Sequence, residues 1–291
     1  MMRRYPLILA LLAAVFSGWP GPSRAITLDD PSAEFAFLDL ESYGAWKGSS
    51  TLNQSQAQVQ RIAGQMAFPA GSLWDRSMFG VFKVTYIERN IVSDGLQLNA
   101  GPLQRYWLNW GITPIKTPSH SGTFMAAVGL NSDMADVGPK DWNSEWVYIH
   151  SFTVNPNFGW GIGIDVQQYF IDRFMPYPLV FVDWRMSERT KLRWDADFLE
   201  VRGFLTPALS LTLGVRFNLE FFALKDDAGY EYNSYGAETG IQYALGKGFY
   251  LRFKYKELLG GTEIMYLPDG KRREEDILSG RSLRLGIAYG E

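Results

Sequence analysis

The sequence predicts an all-β protein: an antiparallel transmembrane β-barrel of about twelve strands, within a range of 12–14, behind a removable leader. Three observations predict it. Leu209 to Phe222 alternates large apolar side chains with small, polar or charged ones over fourteen residues. The same alternation recurs along the chain between turn-forming residues, and many of the aromatic side chains, which make up 15% of the sequence, fall near the ends of the alternating segments.

The first element is the leader. Met1 to Ala25 carries Arg3 and Arg4, an uncharged apolar stretch from Leu7 to Phe16, and a Gly/Pro-rich approach to Ser23-Arg24-Ala25. This is the architecture of a secretory signal peptide. Its apolar core is too short for a membrane-spanning helix, which needs about 20 residues. Cleavage after Ala25 is expected, leaving residues 26–291 as the barrel. The chain has no cysteine, which excludes lipoprotein attachment, disulfides and thiolate metal sites. Removing the leader leaves 25 basic against 31 acidic side chains, a formal charge of −6. That balance argues against a nucleic-acid partner.

The strands follow. Alternation is weaker in Phe35–Trp46, Gln60–Phe68, Met78–Ile87, Leu103–Trp110, Thr123–Leu130 and Trp146–Phe152. It is clear in Phe158–Phe170, where Phe158, Trp160, Ile162, Ile164 and Val166 oppose Gly159, Gly161, Gly163, Asp165 and Gln167. Leu179–Arg185 is weaker, and Leu192–Phe198 sets Leu192, Trp194, Ala196 and Phe198 against Arg193, Asp195 and Asp197. In Leu209–Phe222, Leu209, Leu211, Leu213, Val215, Phe217, Leu219 and Phe221 share one side, and Ser210, Thr212, Gly214, Arg216, Asn218 and Glu220 the other. Strands in soluble sheets run to about 5–6 residues, whereas a tilted strand crossing a bilayer needs about 9–11. Tyr235–Tyr243 is weaker again. Phe249–Lys256 places Arg252, Lys254 and Lys256 opposite Leu251, Phe253 and Tyr255, and the closing strand places Ser282 and Arg284 opposite Leu283, Leu285, Ile287 and Tyr289. Asn155-Pro156-Asn157 and Leu245 to Gly248 predict tight turns; Asn131–Ser144 and Leu259–Gly280 predict longer loops.

A secreted soluble β-sandwich would show the same period. Strand length, the rings at segment ends and the three glycines on the polar face of Phe158–Phe170 favour the membrane barrel, because glycine weakens a solvated strand but fits a crowded interior.

Three segments carry a family resemblance: Pro176-Tyr-Pro-Leu-Val-Phe-Val-Asp-Trp184, Leu192-Arg-Trp-Asp-Ala-Asp-Phe-Leu199 and Arg281-Ser-Leu-Arg-Leu-Gly-Ile-Ala-Tyr289. With them the chain resembles a widespread, uncharacterised family of bacterial outer-membrane β-barrels catalogued as a domain of unknown function. The resemblance implies a fold and an address from about Phe35 onward, and no catalytic residues. It also implies partners: outer-membrane lipids, lipopolysaccharide, and the barrel-assembly machinery during biogenesis. The closing strand departs from the usual terminal aromatic, since Gly290 and Glu291 follow Tyr289.

Chemistry-bearing residues are few. His120 and His150 each adjoin a serine, whereas barrel lipases use His-x-Ser, in which both side chains share a strand face. An omptin-like protease would need an acid pair with a His/Asp pair. No zinc, calcium-loop or phosphate-loop pattern is present, so no cofactor is expected. Lys271 to Asp276 is expected to be simply a solvated loop, contact of its basic half with lipopolysaccharide phosphates being the lesser alternative. The expected lumen lining is Asp165, Arg193, Asp195, Asp197, Arg216, Glu220, Glu238, Arg252, Lys254, Lys256 and Arg284. Its basic ladder, Arg252 to Lys256, would favour anions if left unneutralised. The sequence thus predicts a non-enzymatic, passive pore for small polar or anionic solutes; a closed structural or interaction barrel is the alternative, and a rim enzyme acting on lipid or peptide the third reading.

Overall fold

The computed structural model describes residues 34–47, 55–73, 76–90, 92–93, 96–97, 102–135, 137–169, 173–224, 228–267 and 269–290. The leader, Met1–Ala25, lies outside them. Fourteen antiparallel strands form a closed barrel: β1 Glu34–Lys47, β2 Ser55–Leu73, β3 Arg76–Asn90, β4 Leu103–Lys116, β5 His120–Ser132, β6 Trp142–Asn155, β7 Phe158–Tyr169, β8 Arg173–Ser187, β9 Thr190–Asp195, β10 Phe198–Phe204, β11 Leu209–Ala223, β12 Gly229–Gly246, β13 Phe249–Tyr266 and β14 Arg272–Gly290. Each strand pairs with its neighbours in sequence, and β1 closes on β14 from Ala36 opposite Tyr289 to Trp46 opposite Ser279. A two-residue ladder, Val92–Ser93 with Leu96–Gln97, decorates the β3–β4 connection.

Period two sorts the side chains. Leu211, Leu213, Phe217, Ile241, Leu251, Phe253, Leu283 and Leu285 are exposed on the outside. Ser210, Thr212, Glu220, Ser234, Glu238, Arg252, Lys256 and Ser282 are buried inside. A surface of this kind is stable only in lipid. Rings lie toward both rims: Phe249 and Tyr289 pack at 4.9 Å beside one end, and Trp142 and Trp146 face outward toward the other.

The strand count lies at the top of the expected range because the chain reverses within Leu192–Phe198 and a further strand, Phe198–Phe204, follows. β9 turns at Ala196-Asp197 into β10, with Asp195 opposite Phe198. Thr262 to Tyr266 completes β13, so the expected long loop Leu259–Gly280 contracts to 267–271; Arg272 to Asp276 begin β14. The Asn131–Ser144 loop likewise contracts to 133–141, ending in a 3-10 turn, Pro139–Asp141. Connections 117–119, 156–157, 188–189, 205–208 and 247–248 share one end with the start of β1 and the finish of β14, here the turn end; the opposite, loop end holds the described residues 92–93, 96–97, 102, 133–135, 137–141, 224, 228, 267 and 269–271. Both predicted tight turns are present. Asn155 Oδ1 accepts the Asn157 N–H at 2.8 Å. Gly246, Lys247 and Gly248 all take positive φ, which glycine supplies without strain.

The glycines of β7 face inward, but the crowding comes from neighbours and not from an opposing wall. A Cβ on Gly163 would strike the Tyr148 carbonyl, and one on Gly161 the Phe181 ring.

Candidate functional site

Inward-facing side chains form several groups of ion pairs through the middle of the barrel. Arg252 Nε and Nη2 donate to the two Asp39 oxygens at 2.8 and 2.7 Å. Arg284 and Ser282 both donate to Glu41 at 2.9 Å. Lys254 donates to Glu238 at 2.7 Å and lies 3.7 Å from Glu200, which also receives Arg202 at 2.9 Å. Arg216 lies 3.5 Å from Glu238 and 5.1 Å over the Phe198 ring, whose other neighbour is Arg193 at 5.4 Å. Arg61 of β2 meets Glu220 of β11 at 2.8 Å, spanning the lumen. Lys256 is 3% exposed; the Asn218 amide oxygen, in the orientation that serves both groups, accepts from it at 2.7 Å.

Ten of the residues predicted to line the lumen occupy inward positions on strands, and Asp197 sits instead in the β9–β10 turn. Asp195 caps that turn, accepting the Ala196 N–H at 2.7 Å. Two of the three charges of the basic ladder are therefore paired, Arg252 with Asp39 and Lys254 with Glu238, while Lys256 is held by the uncharged Asn218 amide oxygen. Asp39, Glu41, Arg61, Glu200 and Arg202 were not singled out from the sequence; alternation in β1 and β2 marks their faces, but their partners are fixed only by closure.

Lys254→Gln with Lys256→Gln should therefore act on stability. Loss of charged hydrogen bonds worth about 1.5–3 kcal/mol each should lower the unfolding midpoint. Ion selectivity of any current should stay unchanged, as a reversal potential in a salt gradient would report.

The two ends of the lumen differ. Toward the turn end, inward Thr113, Ser151 and Gln242 are half-buried. Toward the loop end, Ile87, Leu103, Phe222, Leu224, Tyr230, Tyr232, Leu258 and Ile277 form a buried apolar cluster, with Phe222 at 1% exposure. There β11 reaches across to β5: Ala223 pairs with Ser132, and the Asp133 N–H donates to the Ala223 carbonyl at 3.3 Å. Small cavities lie between the walls, two of them among the described residues. One of about 10 Å³ lies beside Glu200, Arg216 and Glu238, the other of about 20 Å³ beside Glu41, Arg61, Glu220 and Lys256. Each is about the size of a single water.

The histidines are outside. His120 and His150 stack at 5.5 Å on adjacent strands, His150 against Tyr148 and Phe152. Contrary to the expected separation, Ser119 Oγ approaches His120 Nδ1 at 3.3 Å, because Ser119 lies in a turn and not a strand. Neither histidine has a carboxylate partner among the described residues.

Closed meander, apolar exterior and charged interior together define an outer-membrane β-barrel. Residues 114–251 match the family described as Domain of unknown function (DUF6268). That span contains the 176–184 and 192–199 segments of the resemblance and excludes 281–289, so the match is shorter than expected. No curated protein matches the chain. Among solved structures, the chain is similar to the toluene transporter TodX of Pseudomonas putida, at 8% identity over 88% of this chain and 89% of that one, TM-score 0.44. It is similar to an outer-membrane channel from Pseudomonas putida F1, at 9% identity over 88% and 96%, TM-score 0.40. It is also similar to the translocator domain of the autotransporter NalP from Neisseria meningitidis, at 11% identity over 87% of each chain, TM-score 0.35.

Proposed function

We propose that the protein is a non-enzymatic outer-membrane channel for small polar solutes, held shut at its loop end in the state described. The observation that carries this reading is the asymmetry of the lumen. A polar interior reaches toward the turn end, while the loop end is sealed by one apolar cluster and one backbone contact between β5 and β11. Dry apolar constrictions gate other channels in this way. Bacterial barrels keep short turns in the periplasm, which places the seal on the outer face. Delivery by a cleaved leader, contact with lipopolysaccharide and insertion by the barrel-assembly machinery belong to the same reading.

The rival is a permanently closed structural or interaction barrel, favoured by the ion pairs that fill the mid-section. Planar-bilayer recording separates the two. The wild-type protein should show rare, brief current steps, and Phe222→Ser, which wets the seal, should show sustained ones. A Phe222→Ser barrel that shifts in gel mobility on boiling, and so is folded, yet carries no current would establish the structural role.

A further inference from the structure

One lumen site breaks the pattern of paired charge. Glu145 on β6 and Gln167 on β7 lie directly opposite each other, and Asp165 is the next inward residue of β7. The Gln167 amide is the shared donor: its Nε2 lies 3.4 Å from Glu145 Oε1 and also donates to Asp165 Oδ2. Asp165 is only 7% exposed, and its second oxygen, Oδ1, is buried without any hydrogen-bond partner. Neither carboxylate has an ion pair among the described residues, although Asp39, Glu41, Glu200, Glu220 and Glu238 all do. Asp197, in the β9–β10 turn, adds to the negative field. A buried carboxylate oxygen beside a second carboxylate is costly until a proton shared between the two or a bound cation relieves it.

We propose that Glu145 and Asp165 bind a partly hydrated divalent cation, Ca²⁺ being the representative ion, on the lumen wall. The ligand set is oxygen only, two carboxylates with the Gln167 amide carbonyl available on rotation, which suits a hard cation. No three carboxylates or imidazoles converge there among the described residues, so the ion keeps much of its water and binds weakly. An affinity on the order of 10⁻⁴–10⁻³ M, as in extracellular calcium modules, is expected. The site does not depend on conduction, since a permanently closed barrel would hold the ion equally well.

Calorimetric titration of CaCl2 into refolded, lipopolysaccharide-free protein tests it. Wild type should bind saturably at about one ion per chain, Asp165→Asn and Glu145→Gln should each weaken binding at least tenfold, and Asp183→Asn, whose carboxylate is held by Lys191 at 2.8 Å, should not. Should the first two variants fail to refold, wild type alone still decides. Its urea midpoint should rise with Ca²⁺ and remain unmoved by equal ionic strength of NaCl. Absence of saturable binding, binding retained in both folded variants, or an unmoved midpoint overturns the proposal. None of these results bears on whether Phe222→Ser conducts.

Discussion

Asp39→Ala should destabilise the barrel by about 3–5 kcal/mol, the range for removing one partner of a buried ion pair. The pair is bidentate, with both oxygens engaged at 2.7–2.8 Å, and its members are 5% and 8% exposed. Removing the carboxylate takes both bonds of this pair from a guanidinium in a space that water reaches poorly. Position multiplies the effect. Asp39 lies on the first strand and Arg252 on the thirteenth, so the bond crosses β14 and staples the seam at which the barrel closes. It crosses over Gly286, where a Cβ would collide with Asp39 Oδ1 and stand 3.0 Å from Arg252 Nε. Gly286→Ala should therefore lower stability by the same route. The double variant Asp39→Leu, Arg252→Leu should recover much of the loss, because well-packed apolar replacements of buried pairs are often neutral. Urea unfolding in lipid vesicles reads all three; a wild-type midpoint for Asp39→Ala would mean that the guanidinium finds water and that the lumen is wetter than its burial indicates.

What alternation reveals and what it conceals follow from the same geometry. A period of two assigns each residue to a face without knowledge of register, so Arg216, Glu238, Arg252 and Arg284 were legible as interior residues from the sequence. The turn at Ala196-Asp197 was not, because it contains neither glycine nor proline and the apolar rhythm runs through it. Leu192, Trp194 and Phe198 read as one oily face. In the barrel the chain reverses between them, and Phe198 points inward under the guanidinium groups of Arg193 and Arg216. Pairing was also hidden. Arg61 and Glu220 lie 159 positions apart and meet only because the sheet closes and flattens. The Asp39–Arg252 pair is another such long-range contact, which is why the sequence shows the basic ladder and not its partners. The Glu145–Asp165 pair was invisible for the opposite reason: Trp146–Phe152, the segment assigned to β6, began one residue too late to include Glu145.

Leu213→Arg should cost about 2–4 kcal/mol in a bilayer, the range for a basic residue facing lipid near the midplane. Leu213 is 66% exposed on the outer face of β11, in an apolar row with Leu211, Val215 and Phe217, and its cross-strand neighbours are Val201 and Thr239. In a water-soluble barrel the same change would exchange one solvated side chain for another and stay within about 0.5 kcal/mol. Depth supplies the control. Leu245 also faces outward and is exposed, but it stands beside the Gly246 to Gly248 turn, where arginine reaches the interface and should cost about 0–1 kcal/mol. Unfolding free energies in vesicles should therefore separate the two substitutions by at least 1 kcal/mol. Equal costs at the two positions would contradict a lipid-crossing β11. A large cost at Leu213 alone locates the hydrocarbon core along the strand, and with it the depth at which Glu220, Glu238 and Arg252 hold their charges inside the wall.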